Sequence, residues 1–139
     1  MNKPLSFKSI FISDFHLGTK GCSDEQLLKF LKNTESQNLF LVGDIIDMWQ
    51  LKKKIYWPAG HNEIVQNILK KSKKNTNVVY IVGNHDEYIR DYLPLDIGNI
   101  KITNEMFYES NGEKYFITHA DLYDIVPCYH KLVSKIGDV

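Results

Sequence analysis

The sequence is poor in cysteine. Cys22 and Cys128 are the only two, far apart and outside any Cys-x-x-Cys pattern. That excludes a disulfide scaffold and a thiolate zinc finger, and two unpaired thiols fit a reducing compartment. Charge of one sign is also missing: Lys+Arg is 17 and Asp+Glu is 17. A general nucleic-acid binder is usually basic, so nucleic acid is not an expected partner. Long hydrophobic runs are absent. The N-terminal apolar run is only Ile10-Phe11-Ile12, too short for a secretory signal. No stretch approaches the roughly 18 apolar residues of a membrane span. Internal repeats and low-complexity linkers are missing as well. The expected location is therefore cytoplasmic.

What is present is ordinary globular composition. The 139 residues are 43% hydrophobic and 24% charged, which suits one domain with a real core. Ile10-Phe11-Ile12, Leu39-Phe40-Leu41-Val42 and Val78-Val79-Tyr80-Ile81-Val82 read as buried strands. Ser23 with Gln26 three residues later is a capping-box signature. Leu27, Leu28, Phe30 and Leu31 follow at helical spacing, as do Ile64, Val65, Ile68 and Leu69. Strands alternating with helices predict a parallel α/β sheet. Ile100 to Ile102 is a candidate short strand. Met106-Phe107-Tyr108 and Tyr115-Phe116-Ile117 flank Asn111-Gly112, a strong hairpin signal. A last helix is expected from Tyr129 to Ile136.

The polar residues after the strands form a pattern. They are Ser13-Asp14-Phe15-His16, Gly43-Asp44-Ile45-Ile46-Asp47, Gly83-Asn84-His85-Asp86 and Thr118-His119-Ala120-Asp121. In open α/β sheets, ligands bind beyond the carboxyl ends of the strands. Four successive strands then bring carboxylates, imidazoles and an amide to one rim. Oxygen and imidazole donors without thiolate suit a divalent cation such as Mn²⁺, Fe²⁺, Zn²⁺ or Mg²⁺. In an extended segment Asp14 and His16 would point the same way and grip one ion. Gly43 and Gly83 would allow sharp turns and close approach of phosphate.

Asp-x-His, Gly-Asp-x-x-Asp, Gly-Asn-His-Asp and a later His after a strand together resemble the calcineurin-like metallophosphoesterase superfamily. The fuller runs Ile12 to Thr19, Leu41 to Gln50 and Tyr80 to Glu87, with Tyr56-Trp57-Pro58 and His61-Asn62, resemble its UDP-2,3-diacylglucosamine pyrophosphatase-like branch. That branch is linked to lipid A synthesis. The resemblance implies an α/β/β/α sandwich, here in part, with a parallel β-α-β core and a hairpin. It implies two divalent ions, Mn²⁺ foremost. Asp14 and His16 would hold the first, Asn84 and His119 the second, and Asp44 would bridge them. Asp47 would orient a ligand from behind. Asn84 and His85 would contact substrate, and His85 would assist the leaving group. The substrate would be a phosphate ester or nucleotide-linked glycolipid, hydrolysed by metal-activated water. Contact with the inner membrane face is a further expectation, supported by Lys52-Lys53-Lys54 and the lysines from Lys70 to Lys74.

The sequence departs from the family pattern twice. Ala120 stands where the branch usually has Gly. The family's later Gly-His-x-His motif is absent: the histidines are 16, 61, 85, 119 and 130. Full members are also much longer. Residues 1–139 therefore resemble the N-terminal part of a single metallophosphoesterase domain. The expectation is a phosphoesterase impaired by truncation, marginally stable and in want of a complementing half. The alternative is a non-catalytic remnant or a half-domain needing a partner chain. His61 is read as a cleft residue or an ordinary helix-start residue. Trp49, Tyr56 and Trp57 are read as core or as an acyl shield at the cleft mouth.

Overall fold

The computed structural model describes residues 3–123. The helix expected from Tyr129 to Ile136 lies outside the described residues. The elements are β1 (Leu5–Ile12), α1 (Asp24–Asn33), β2 (Thr34–Val42), α2 (Met48–Lys53), α3 (Ala59–Lys74), β3 (Asn77–Ile81), β4 (Leu95–Ile97), β5 (Ile100–Thr103), β6 (Glu105–Ser110) and β7 (Glu113–Thr118). A 3₁₀ turn covers Glu87–Tyr92, and another covers Asp121–Tyr123.

β1, β2, β3 and β5 pair in parallel in that order, and β4 adds an antiparallel edge beside β5. Side chains alternate between the two faces of the sheet. Leu39, Leu41, Val78 and Tyr80 meet Leu31 of α1 and Ile64 and Ile68 of α3 on one face. Phe40, Val79 and Ile81 point to the other face and meet Ile117 of β7. The apolar runs are continuous because both faces of the middle strands are covered. α1 and α3 also pack on each other. Close approach there uses Gly60, where an added Cβ would lie 2.3 Å from Asp24 Oδ2.

β6 and β7 form a separate two-stranded sheet. Asn111 (φ 54°) and Gly112 (φ 78°) make the expected turn, since two positive φ values suit a two-residue hairpin. The fourth strand that carries polar residues thus belongs to this second sheet. It reaches the rim by lying across the face of the first.

Two local expectations are corrected. Ser23 precedes α1 as expected, but its side chain makes no capping bond; the capping box is not formed. Asp14 (φ 56°) and His16 (φ 46°) are left-handed, not extended. The reason is lateral pairing. Asp14 N–H donates to Gly43 O (3.1 Å), His16 N–H to Asp44 O (3.0 Å) and Leu17 N–H to Ile45 O (2.8 Å). The segment after β1 therefore runs along the segment after β2, at the cost of positive φ.

Candidate functional site

The site lies where β1, β2, β3 and β7 end. Two left-handed residues, Asp14 and His16, enter from β1. Asp44 enters from β2, also with positive φ (53°). Left-handed non-glycine residues cost roughly 1–3 kcal/mol each and cluster at functional sites. Gly43 (φ 73°) and Gly83 make the packing possible. What fills the space above them is protein. A Cβ on Gly43 would lie 2.2 Å from His119 Cδ2, and one on Gly83 would lie 2.3 Å from Asp44 Oδ1.

Asp44 is buried at the centre. Its Oδ1 accepts the His85 backbone N–H at 2.9 Å. Its Oδ2 lies 3.7 Å from His119 Nε2 and 3.9 Å from His16 Nε2. Asp14 Oδ1 is 3.3 Å from His119 Nε2. Asp14, Asp44 and His119 each offer a donor atom within 4.8 Å of the others. Donors about 2.0–2.2 Å from one ion stand at mutual separations of this order. Most of these gaps are too long for good hydrogen bonds. Carboxylate and imidazole donors also suit a divalent cation, so the residues present fit the metal.

A second group forms behind it. Asp47 Oδ2 lies 3.1 Å from His16 Nδ1 and 2.9 Å from His85 Nδ1. One buried carboxylate oxygen therefore orients two imidazoles, leaving His16 Nε2 facing Asp44 Oδ2 and His85 Nε2 without a hydrogen bond among the described residues. Asp47 Oδ1 accepts from Gln50 N–H at the start of α2. The His85 ring is also held between Trp49, 4.2 Å away, and His16, 4.7 Å away edge-on. Asn84 sits half-buried in the turn after β3, between Gly83 and His85.

The ionisation pattern follows from these contacts. Burial pushes the Asp44 carboxyl up, only partly offset by the His85 N–H and by His119. Burial also opposes ionisation of Asp14, but hydrogen bonds with Ser13 and His119 outweigh it and hold the carboxyl below its usual range. For Asp47 the bonds with Gln50, His85 and His16 likewise outweigh burial. Burial lowers the His119 value, yet Asp14, Asp44 and Asp121 together raise it. A charged Asp44 in this setting gains from a cation beside it.

Supporting residues emerge that the motif reading missed. Asp86 is fully buried (0% exposed). It accepts Ile45 N–H at 3.0 Å, the Tyr80 hydroxyl and Gly83 N–H, tying the segments after β2 and β3 together. Burial and Asp86 push the Tyr80 hydroxyl far up, so it stays a donor. Arg90 reaches three places: Nε donates to Asn104 Oδ1, and Nη2 to Val82 O and to Asp121 Oδ1 (2.8 Å). Asp121 in turn lies 3.4 Å from His119 Nδ1. Asp86 and Asp121 stood beside motif histidines in the sequence; Arg90 gave no signal at all.

His61 is settled as structural. It is 1% exposed, its Nδ1 accepts Gly18 N–H at 3.1 Å, and burial holds its pKa down. Tyr56 and Trp57 stand edge-on to it. None of Trp49, Tyr56 and Trp57 is fully buried, which removes the core reading of these aromatics. No helix among the described residues is long and apolar enough to cross a membrane.

A family model described as calcineurin-like phosphoesterase matches residues 7–136. The UDP-2,3-diacylglucosamine hydrolase of Porphyromonas gingivalis (strain ATCC BAA-308 / W83) is 25% identical over 121 residues, covering 82% of this chain and 46% of its own length. The chain thus spans about half the length of the curated relative it matches. Among solved structures, the crystal structure of Pseudomonas putida nuclease MPE is similar over 74% of this chain and 50% of that one, at 19% identity and a TM-score of 0.43.

Proposed function

We propose, for a chain that belongs to the calcineurin-like phosphoesterase family, that its own site is a metal-dependent phosphoester hydrolase centre. The observation that carries this reading is the convergence of Asp14, His16 and His119 on the buried Asp44 carboxylate. Asp14, His16, Asp44, Asn84 and His119 would hold two divalent ions, with Mn²⁺ as the favoured metal. Bound there, the ions would polarise the phosphoryl group and activate water. Asp47 fixes the rings of His16 and His85 from behind. His85, clamped by Trp49 and Asp47, would present its free Nε2 to a phosphoryl or leaving-group oxygen. Asn84, next to it, would contact the same group.

The substrate proposed is a phosphate ester of the nucleotide-sugar-lipid class. Its support is the 25% identical relative named for UDP-2,3-diacylglucosamine hydrolysis. Action at the inner membrane face belongs to the same proposal. A second reading, a half-domain active only with a complementing chain, is favoured by exposed aromatics on β1 and the hairpin: Phe7, Phe11, Phe107 and Phe116.

The test is metal content with hydrolysis of bis(p-nitrophenyl) phosphate. We expect Mn²⁺ to be retained, and Asp44→Asn to lose both metal and turnover. Unchanged metal affinity in Asp44→Asn overturns the assignment. Turnover that appears only when the rest of a longer relative is added selects the second reading.

A further inference from the structure

Asn111 is the only asparagine in the sequence that is followed by glycine. Besides turning the chain between β6 and β7, this pair carries reactive chemistry. Asn111 and Gly112 are both exposed. Lys8 of β1 donates from Nζ to Asn111 Oδ1 at 3.0 Å. An ammonium has donors only, so the atom facing it is the carbonyl oxygen of the carboxamide. The Gly112 N–H has no hydrogen-bond partner among the described residues. Nothing lies within 4 Å of where a Cβ on Gly112 would stand.

The Asn111 carboxamide thus has a cation on its oxygen and an unshielded amide nitrogen next to it in the chain. The cation draws electron density from Cγ. It also stabilises the negative charge that gathers on Oδ1 when a nucleophile adds. The other asparagines lack this combination. Asn104 Oδ1 takes the Arg90 Nε–H at 3.0 Å, but Glu105 follows it. Each of the rest precedes a residue with a Cβ, which crowds the attacking nitrogen.

We propose that Asn111 is a self-modification site, where Lys8 promotes deamidation. The Gly112 nitrogen gives its proton to hydroxide and attacks Asn111 Cγ. The Cγ–Nδ2 bond breaks, Nδ2 takes a proton from water, and ammonia leaves. A five-membered succinimide remains. Water then opens the ring. Cleavage at Cγ gives aspartate, and cleavage at the backbone carbonyl carbon gives isoaspartate. Either product places a carboxylate at the hairpin tip, beside the Lys8 ammonium. Isoaspartate also lengthens the turn by one backbone carbon, which a two-residue hairpin loop does not accommodate. β7 runs from this turn through Ile117 of the inter-sheet core toward His119. The inference stands apart from the metal-site reading and does not depend on it.

The experiment incubates the full chain, folded, at mildly alkaline pH, beside the same chain in urea. Peptide mapping by mass spectrometry follows Asn111 and Asn104. We expect aspartate and isoaspartate at position 111 of the folded chain, with Asn104 intact. Lys8→Met should slow the folded reaction roughly three- to tenfold, the effect of one hydrogen bond. Lys8→Arg should keep most of the rate. In urea all three chains should react alike, because Lys8 no longer lies beside the turn. Absence of product at position 111 in the folded chain overturns the proposal. So does aspartate without isoaspartate, which marks direct hydrolysis. An equal folded rate in Lys8→Met overturns it as well.

Discussion

Gly43 and His119 touch so closely that no side chain fits between them: a Cβ at position 43 would meet Cδ2 and Cγ of the ring at 2.2 and 2.3 Å. The end of β2 and the end of β7 are therefore fitted to each other through the absence of one carbon. Gly43→Ala should lose about 3 kcal/mol, from overpacking and from a left-handed φ. Urea denaturation measures it. An unchanged midpoint would show that the ring moves aside freely.

Ala120 sits at φ 67°, directly after His119. The Cβ that distinguishes it from glycine is strained there by roughly 1–2 kcal/mol. Glycine gives back part of this through unfolded-state entropy. Ala120→Gly should still stabilise the chain by about 0.5–1 kcal/mol. A lower melting temperature would contradict the strain.

Arg90 acts on the site through Asp121, which lies against His119 Nδ1. Arg90→Met leaves the nearly buried Asp121 carboxylate without its partner and should destabilise by about 3 kcal/mol. Metal affinity should drop about 10–100-fold, as when ligand-orienting partners are lost elsewhere. Arg90→Lys should recover stability better than metal affinity, because an ammonium cannot span Asn104, Val82 and Asp121 together. Metal titration beside urea melts separates the two effects. Equal recovery of both would remove the positioning role.

His61 gives the chain an acid limb. Burial lowers its pKa, and its neutral Nδ1 accepts from Gly18. The unfolded chain takes up this proton near the ordinary imidazole value of about 6.5, the folded chain only at lower pH. Its stabilising contribution is complete above that ordinary value. It declines as pH falls from there through the lowered folded value. Stability measured across pH 7 to 5, as a difference between the unsubstituted chain and His61→Gln, should show this slope. A flat difference curve would refute it.

Much of the fold was legible because both faces of the middle strands are buried, which writes continuous apolar runs into the sequence. The hairpin was legible from Asn111-Gly112. The polar half of β2 was not. Thr34 to Asn38 continues straight out of α1 without a loop, and Thr34 O and Ser36 O take bonds from Lys71 and Thr76. Strand identity there comes from pairing with β1 and from α3, which periodicity cannot report. α2 is six residues long and β4 three, too short for any pattern. In the candidate site, Asp14, His16, Asp44, Asp47, His85 and His119 stand together in two groups, and each was legible as a motif letter after a strand. Their handedness was not, because the positive φ of Asp14 and His16 follows from hydrogen bonds to residues about thirty positions away. Arg90 was hidden for the same reason: its partners are brought to it by β3, the β5–β6 turn and β7.

Asp86 makes the segments after β2 and β3 a single mechanical piece. Its carboxylate is bonded to Ile45, Gly83 and Tyr80 at once, and Asp44 and His85 ride on the two segments it joins. The order needed to grip a cation is therefore created when the chain folds, not when the ion arrives. Binding then carries little additional ordering entropy. Were the proposed cation held there, its choice by size would rest on a buried anchor that does not touch it.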